Sequence, residues 1–300
     1  SIDVPTIYEV PLRMHNQHLD DVLLEKLGLK SEQEPDMTEW EAFVERIKNP
    51  KSVVDIALVG KYTELPDAYK SISESFIHAG AVNEVKVKLH YVNSEKLTPE
   101  NVKGQLGKMS AVMVAPGFGN RGIEGKLVAV RYARENNVPF FGICLGMQCA
   151  VIEFARNVIG WTDANSSEME PTKHAVIDLM EEQKNITAKG GTMRLGGYPC
   201  QLAKGSRVAE AYGKSSIVER HRHRYEFNST FLADFEAAGM KAVGLNPDTG
   251  LVEVVEIPSH RWFVGTQYHP EYHSTAANPH PLFVQFVKEA LKYRDEKSGK

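Results

Sequence analysis

Residues 138–148 read Val-Pro-Phe-Phe-Gly-Ile-Cys-Leu-Gly-Met-Gln, an apolar run that reaches Cys144 with Gly142 two residues before it and Gly146 two after. This is the sequence form of a nucleophile elbow. A strand that turns sharply into a helix lifts the turn side chain into a cleft, and flanking glycines make room for the crowded backbone. The free N–H groups and dipole of the following helix favour thiolate over thiol there. Taken alone the motif is short, and a buried core cysteine is the better explanation of it, because free cysteine is among the most buried residue types. Cys149, inside the apolar helical run Met147–Ala155, and Cys200, in a strand-like run, lack glycine on both sides and fit that plainer reading.

The far end of the chain separates Cys144 from them. Trp262–Tyr268 reads as a strand and delivers His269-Pro270-Glu271. Imidazole can take a thiol proton and return it to a leaving amine, and a carboxylate two residues on can hold the ring and its tautomer. Pro270 stiffens the backbone between them. A cysteine with a histidine and an acid distant in sequence is the pattern of a cysteine nucleophile in an intracellular enzyme.

The elbow and the His-Pro-Glu run together resemble the class I, or triad, glutamine amidotransferases. Three longer stretches narrow the resemblance to the glutaminase domain of the CTP synthase family: Gly60-Lys61-Tyr62-Thr63-Glu64-Leu65-Pro66-Asp67-Ala68-Tyr69-Lys70-Ser71, Gly190-Gly191-Thr192-Met193-Arg194-Leu195-Gly196, and Val218-Glu219-Arg220-His221-Arg222-His223-Arg224-Tyr225-Glu226. The resemblance covers nearly the whole chain. It implies Cys144, His269 and Glu271 as catalytic triad and L-glutamine as substrate, hydrolysed without a cofactor. It also implies an ATP- and Mg2+-using synthetase domain on the N-terminal side, outside this chain, and GTP as an allosteric activator. The full-length family enzyme is expected to be a homotetramer through that missing domain, and this domain alone a monomer.

The turn Gly117-Phe118-Gly119-Asn120-Arg121-Gly122 is literally G-x-G-x-x-G after a strand, the nominal dinucleotide fingerprint. That function also needs an acid about 20 residues on, at the end of the next strand. The next strand ends at Cys144 instead. An oxyanion hole is the better use of the glycines, with Gly117 N–H and Leu145 N–H as the two donors. In the resembled family the turn usually reads Pro-Gly-Gly-Phe-Gly, whereas here it is Ala115-Pro116-Gly117-Phe118-Gly119, so Pro116 removes one N–H and one flexible glycine. By the same resemblance Gln148 and Glu168 recognise the amino-acid end of glutamine, Arg224 and Tyr225 complete that wall, and Phe118, Gly146 and Met147 join Gly117 and Leu145 around the ligand. Gln148 has positional support of its own, one helical turn after the nucleophile on the same face.

The cluster Arg220, His221, Arg222, His223, Arg224 alternates, so a strand would put arginines on one face and histidines on the other. Nucleic acid does not fit, for lack of aromatic platforms or a wider basic field. His221 and His223, or His269 and His273 at i, i+4, could ligate a metal, but Pro270 spoils the helix of the second pair and no Cys or acid completes either set, so no metal is expected. An anion-facing loop beside the active site is favoured. Asp67 reads as a helix cap after Leu65-Pro66, and Gly191–Leu195 as plain β structure or a wall of an ammonia exit.

The chain has 300 residues, 42% of them hydrophobic, a net charge of −4 and three cysteines. Weak charge argues against nucleic acid or an anionic membrane as partner. An odd cysteine count without paired spacing argues against a disulfide framework. No apolar run approaches the roughly 20 residues of a membrane span, and Ser1-Ile2-Asp3-Val4 has no signal-peptide character, so a cytoplasmic enzyme is expected. Gly107-Lys108 is followed by Met109, and no G-x-x-x-x-G-K-[ST] loop exists.

These residues need a scaffold that brings 117, 144 and 269 together. From Val53 the β-rich runs Val53–Val59, Val85–Val92, Ala111–Ala115 and Val138–Ile143 alternate with helical candidates over 67–79 and 124–136. That rhythm implies an α/β fold, a doubly wound, mostly parallel sheet of flavodoxin-like form, with sites at the carboxyl ends of the strands. Short strands around Asn246-Pro247-Asp248-Thr249-Gly250 predict antiparallel additions in the second half. Residues 1–50 read as an interdomain linker and packing arm, with a helix from Leu19 stopping at Gly28 and another capped by Thr38. Residues 51–294 form the glutaminase domain and 295–300 a polar tail. Two rivals stand beside this reading. One is another Cys-His-Glu hydrolase of the same fold, such as a γ-glutamyl hydrolase or a different amidotransferase, and the other is a non-catalytic binding module.

Overall fold

A computed structural model describes residues 3–31, 33–179 and 193–299. The N-terminal arm consists of α1 (Val10–His15), α2 (Leu19–Leu27) and α3 (Thr38–Lys48). Gly28 ends α2 in the left-handed conformation, as the sequence suggests. Thr38, expected as a cap, is instead the first helical residue of α3, and the Asp36 carboxylate accepts its N–H at 3.0 Å. Phe43 and Val44 of α3 bury themselves with Tyr8, Leu12, Trp40 and Ala81, so the arm does pack on the domain. Tyr8 anchors it through hydrogen bonds to Glu74 and, at 2.7 Å, to His78 Nε2.

Beyond the arm, the apolar runs 56–59, Ala111–Val114 and Phe140–Ile143 must be covered on both faces, whereas Val85–Asn93, with Lys86, Lys88 and His90, suits a sheet edge. β1 (Ser52–Gly60), β2 (Val85–Asn93), β3 (Ala111–Val114) and β4 (Phe140–Ile143) pair in parallel, as the β-rich runs predict. Between them run α4 (Lys70–Val82), α5 (Val102–Leu106) and α6 (Ile123–Glu135), and α7 (Leu145–Phe154) follows β4 directly. The expected Asp67 cap is absent, and a 3-10 turn over Pro66–Tyr69 leads into α4 without a side-chain cap.

Next come β5 (Asn165–Ser166), β6 (Ala175–Leu179), β7 (Arg194–Leu202), β8 (Ser216–His223), β9 (Tyr225–Phe227), β10 (Lys241–Leu245), β11 (Val252–Glu256) and β12 (Phe263–Thr266). The main sheet runs β2-β1-β3-β4-β12-β11-β10-β7-β8, and β5, β6 and β9 form a small separate sheet. β12 returns parallel to β4, while β11, β10, β7 and β8 are antiparallel, so the added strands lie where the second half predicts them. Side chains alternate between two cores. Val54, Ile56, Leu58, Phe141 and Ile143 pack with Phe76 of α4 and with Phe283 and Phe286 of the C-terminal helix Pro281–Ser298. Ala57, Val59, Val112, Val114 and Phe140 face Leu127 and Val130 of α6 and Ala150 and Val151 of α7. The C-terminal helix continues through Ser298, so most of the expected polar tail is helical.

The register Gly265↔Gly142 places the end of β12 beside the end of β4 and so brings 269 to 144. Contact is closest where α7 leaves β4. A Cβ on Gly146 would lie 2.2 Å from the carbonyl oxygen of Val114, and one on Gly142 would lie 2.6 Å from the Gly146 backbone. Only hydrogen fits at either place. Gly146→Ala is therefore expected to destabilise the chain by about 1–3 kcal/mol through overpacking, measured as a lowered urea midpoint. An unchanged midpoint would show that α7 can withdraw freely.

Candidate active site

Cys144 ends β4 with φ 52° and ψ −105°, a left-handed backbone unusual for a residue with a side chain. Its N–H donates to Thr266 O on β12 at 2.7 Å, and its carbonyl accepts Gln148 N–H as α7 begins. The strain is thus held by hydrogen bonds on both sides of the turn. The thiol reaches the floor of a cavity of about 510 Å³ that also includes Pro116, Gly117, Phe118, Gln148, Glu168, Met193, Arg224, Tyr225 and His269.

His269 follows β12, its N–H donating to Arg220 O at 2.8 Å and its ring stacked on Tyr272 at 5.2 Å. Glu271 Oε1 meets His269 Nδ1 at 2.7 Å, and both residues are 5% exposed. Burial opposes the charged ring, but the Cys144 sulfur beside it and the Glu271 carboxylate outweigh burial and push His269 up to about 11. His269 Nε2 has no partner at ordinary hydrogen-bond geometry. Its coupling to Cys144 is therefore chiefly electrostatic here, and catalytic hydrogen bonds commonly tighten only when substrate is bound. Gln267 Nε2 points at Cys144 Sγ from 3.6 Å. A polar residue in an otherwise apolar strand was the available signal for Gln267.

The turn opposite Cys144 is pinned from three sides. Lys126 Nζ donates to Ala115 O at 2.7 Å, and Lys61 Nζ donates to Phe118 O and, at 3.1 Å, to Gly119 O. Gly119 N–H donates to Glu168 Oε1 at 3.1 Å. Phe118 stands at the rim, 77% exposed, rather than forming a closed wall. Gln148 is buried and spends its amide N–H groups on Tyr225 O at 3.0 Å and Gln267 Oε1 at 3.2 Å, so it ties the far wall to the residue beside the nucleophile. Leu145, Gly146 and Met147 are not in the cavity wall: the Leu145 and Met147 side chains lie in the core, and contact from any of the three to a ligand is through backbone. Tyr62, Tyr69, Arg222, His223 and Tyr272 line the cavity without having been singled out as ligand contacts.

Residues 64–289 match the glutamine amidotransferase class-I family. The chain belongs to that family. It is 62% identical to the CTP synthase of Cytophaga hutchinsonii over 291 residues, which are 97% of this chain and 54% of that relative. It is 60% identical to the CTP synthase of Bacteroides fragilis, covering 97% of this chain and 55% of that relative. The chain thus spans about half the length of these curated relatives. Among solved structures, the glutaminase domain of Trypanosoma brucei CTPS with bound acivicin is 40% identical, with a TM-score of 0.75, covering 80% of this chain and 94% of that one.

In this class I amidotransferase domain the arginine and histidine row on β8 alternates as its sequence predicts. Arg220 and Arg222 are exposed, His221 and His223 buried. The expectation that no acid joins the histidines is corrected by the fold. Glu253 arrives from β11, and the ligating atoms of His221, His223 and Glu253 lie within 4.8 Å of one another. A fixed cation already serves this cluster, however. The Arg194 guanidinium donates to Glu253 at 2.9 Å and Glu226 at 3.1 Å. Burial pushes Glu226 up to about 8 and Glu253 up to about 7, with Arg194 opposing, while burial and Arg194 together push His221 down to about 3. The imidazoles are neutral and hydrogen-bonded to each other at 2.8 Å. Of the stretch Gly190–Gly196, Gly190 to Thr192 lie outside the described residues, and Arg194–Gly196 open β7.

Glu271→Gln keeps the shape of the His269–Glu271 pair and removes its charge. It is expected to lower kcat/KM for glutamine by about 10²–10⁴, as loss of a triad carboxylate does elsewhere. The His269 ring should also titrate below about 11, read by NMR. An unmoved titration would leave Cys144 as the sole source of the shift.

Proposed function

We propose that the chain hydrolyses L-glutamine to glutamate and ammonia as the glutaminase domain of a CTP synthase. One observation carries the reading: a cysteine held in the left-handed elbow conformation shares a cavity with a buried His269–Glu271 pair. The relative from Trypanosoma brucei with acivicin bound supports the choice of glutamine as substrate class.

In the proposed reaction His269, oriented by Glu271, takes the Cys144 proton. The sulfur attacks the carboxamide carbon, and the oxyanion rests on the N–H groups of Gly117 and Leu145. Collapse of the intermediate breaks the C–N bond while His269 returns the proton to the leaving nitrogen. Water, deprotonated by His269, then attacks the thioester, the C–S bond breaks, and glutamate leaves. Gln148, Glu168, Arg224 and Tyr225 hold the α-amino and α-carboxylate ends, with Phe118 at the mouth. The backbones of Gly146 and Met147 carry the first turn of α7 that presents Leu145 N–H.

The rest of the reaction belongs to the half of such relatives that lies outside this chain. There ammonia would aminate UTP at the expense of ATP with Mg2+. GTP, the activator expected of the family, fits the cationic row of Arg220 and Arg222, whose exposed guanidinium groups suit a polyphosphate. A homotetramer built through that other half, with this domain monomeric alone and located in the cytoplasm, completes the reading. Residues 1–50 serve in it as the linker and packing arm, and residues 51–294 as the glutaminase domain.

Treatment with a glutamine-like electrophile such as acivicin is expected to add one adduct, mapped by mass spectrometry to Cys144 and absent in Cys144→Ser. A folded chain that takes no adduct on Cys144 overturns the assignment. Preference for γ-glutamyl peptides over free glutamine would move it to the γ-glutamyl hydrolases.

A further inference from the structure

Lys126 occupies a place where a lysine is costly. It is the fourth residue of α6, close to the positive end of the helix dipole. Its side chain points inward with no exposed surface, on the face that carries Ile123, Leu127 and Val130. Among the described residues no carboxylate pairs with it, although a buried ammonium ordinarily demands one. What its Nζ does reach is Ala115 O at 2.7 Å, and it lies 3.8 Å from the point a Cβ on Gly117 would occupy.

Resting on the glutaminase reading, we infer that Lys126 is the positioning residue of the oxyanion turn. Its ammonium clamps the Ala115 carbonyl, sets the direction of the Gly117 N–H, and adds positive potential behind the developing oxyanion. The geometry of the turn explains how one bond can do this. With the Ala115 carbonyl held and the φ of Pro116 fixed by its ring, a single dihedral, ψ of Pro116, remains to swing the Gly117 amide. A glycine at 116 would leave two under the same clamp. Pro116 and Lys126 thus act as a unit that preorganises the turn.

The charge on Lys126 is set by its surroundings. Burial, with Lys61 beyond the turn, lowers its pKa to about 8 against the opposing pull of Cys149 on α7 and Cys144 at the elbow. The ammonium is therefore present at neutral pH and lost as pH rises through about 8. Support for the oxyanion should be lost on that same alkaline limb, well below the pH at which His269 gives up its proton.

The test is glutamine hydrolysis across pH by the wild-type chain, Lys126→Met and Lys126→Arg. Lys126→Met keeps length and removes charge. It is expected to lower kcat by roughly 10- to 100-fold with little change in KM, while alkylation of Cys144 by iodoacetamide, which develops no oxyanion, continues. Lys126→Arg should recover part of kcat and lose the limb near pH 8. Circular dichroism and melting check the fold. The wild-type profile decides independently of either variant: kcat flat from neutral pH to well above 8 overturns the inference, as does a folded Lys126→Met with wild-type kcat. A wild-type chain that alkylates normally but hydrolyses no glutamine overturns the glutaminase reading and this inference with it. Hydrolysis that Lys126→Met matches overturns the inference alone.

Discussion

The left-handed backbone of Cys144 is the constraint on which the rest of the site depends. A residue with a side chain enters that region only when its neighbours enforce it. Here Thr266 on β12 takes its N–H, α7 takes its carbonyl, and glycines at 142 and 146 let the helix start in contact with β3 and β4. β12 must lie next to β4 for the first of those bonds to form. The strand that relieves the elbow is thus the strand that carries Gln267 and His269 to it, and one sheet register serves both fold and chemistry.

Much of this was legible in the sequence because it is local. Apolar runs separated by helical spacing mark the parallel strands, and Gly-x-Cys-x-Gly marks the elbow by residues within two positions of Cys144. His269 and Glu271 are neighbours in sequence, so their pairing needed no knowledge of the fold. The β8 alternation was likewise visible, since a period of two is a property of any strand.

What escaped was set by approach between distant segments. Glu253 stands 32 positions from His221 and joins it only because β11 and β8 share one face of the sheet. Lys61 meets the carbonyls of Phe118 and Gly119 only because β1 and β3 are adjacent. The Thr38 cap failed for a different reason: the helix starts at Thr38 itself, and Asp36, two residues upstream, accepts the Thr38 N–H in that first turn. Lys126 did leave a trace. A cation on the apolar stripe of α6, spaced with Ile123, Leu127 and Val130, is a local rule broken, and such breaks concentrate at functional sites.

The distribution of charge around the cavity follows from these placements. Behind the far wall, one guanidinium, two carboxylates and two neutral imidazoles are buried together, and burial pushes the carboxylates up against the opposing pull of Arg194. This cluster locks β7, β8 and β11 into one unit and leaves the β8 arginines outside. On the near side Lys61 and Lys126 are both directed at backbone carbonyls of a single turn, and one carboxylate, Glu168, accepts the Gly119 N–H of the same turn. Backbone carbonyls are weak partners for buried ammonium groups, so the field of these two lysines is only partly quenched and extends into the cavity. Two cations against one carboxylate leave a positive balance beside the turn that faces Cys144, where, in the proposed reaction, a tetrahedral adduct would carry its negative charge. Paired with carboxylates, the same two lysines would have held the turn equally well but contributed little to the charge that develops there.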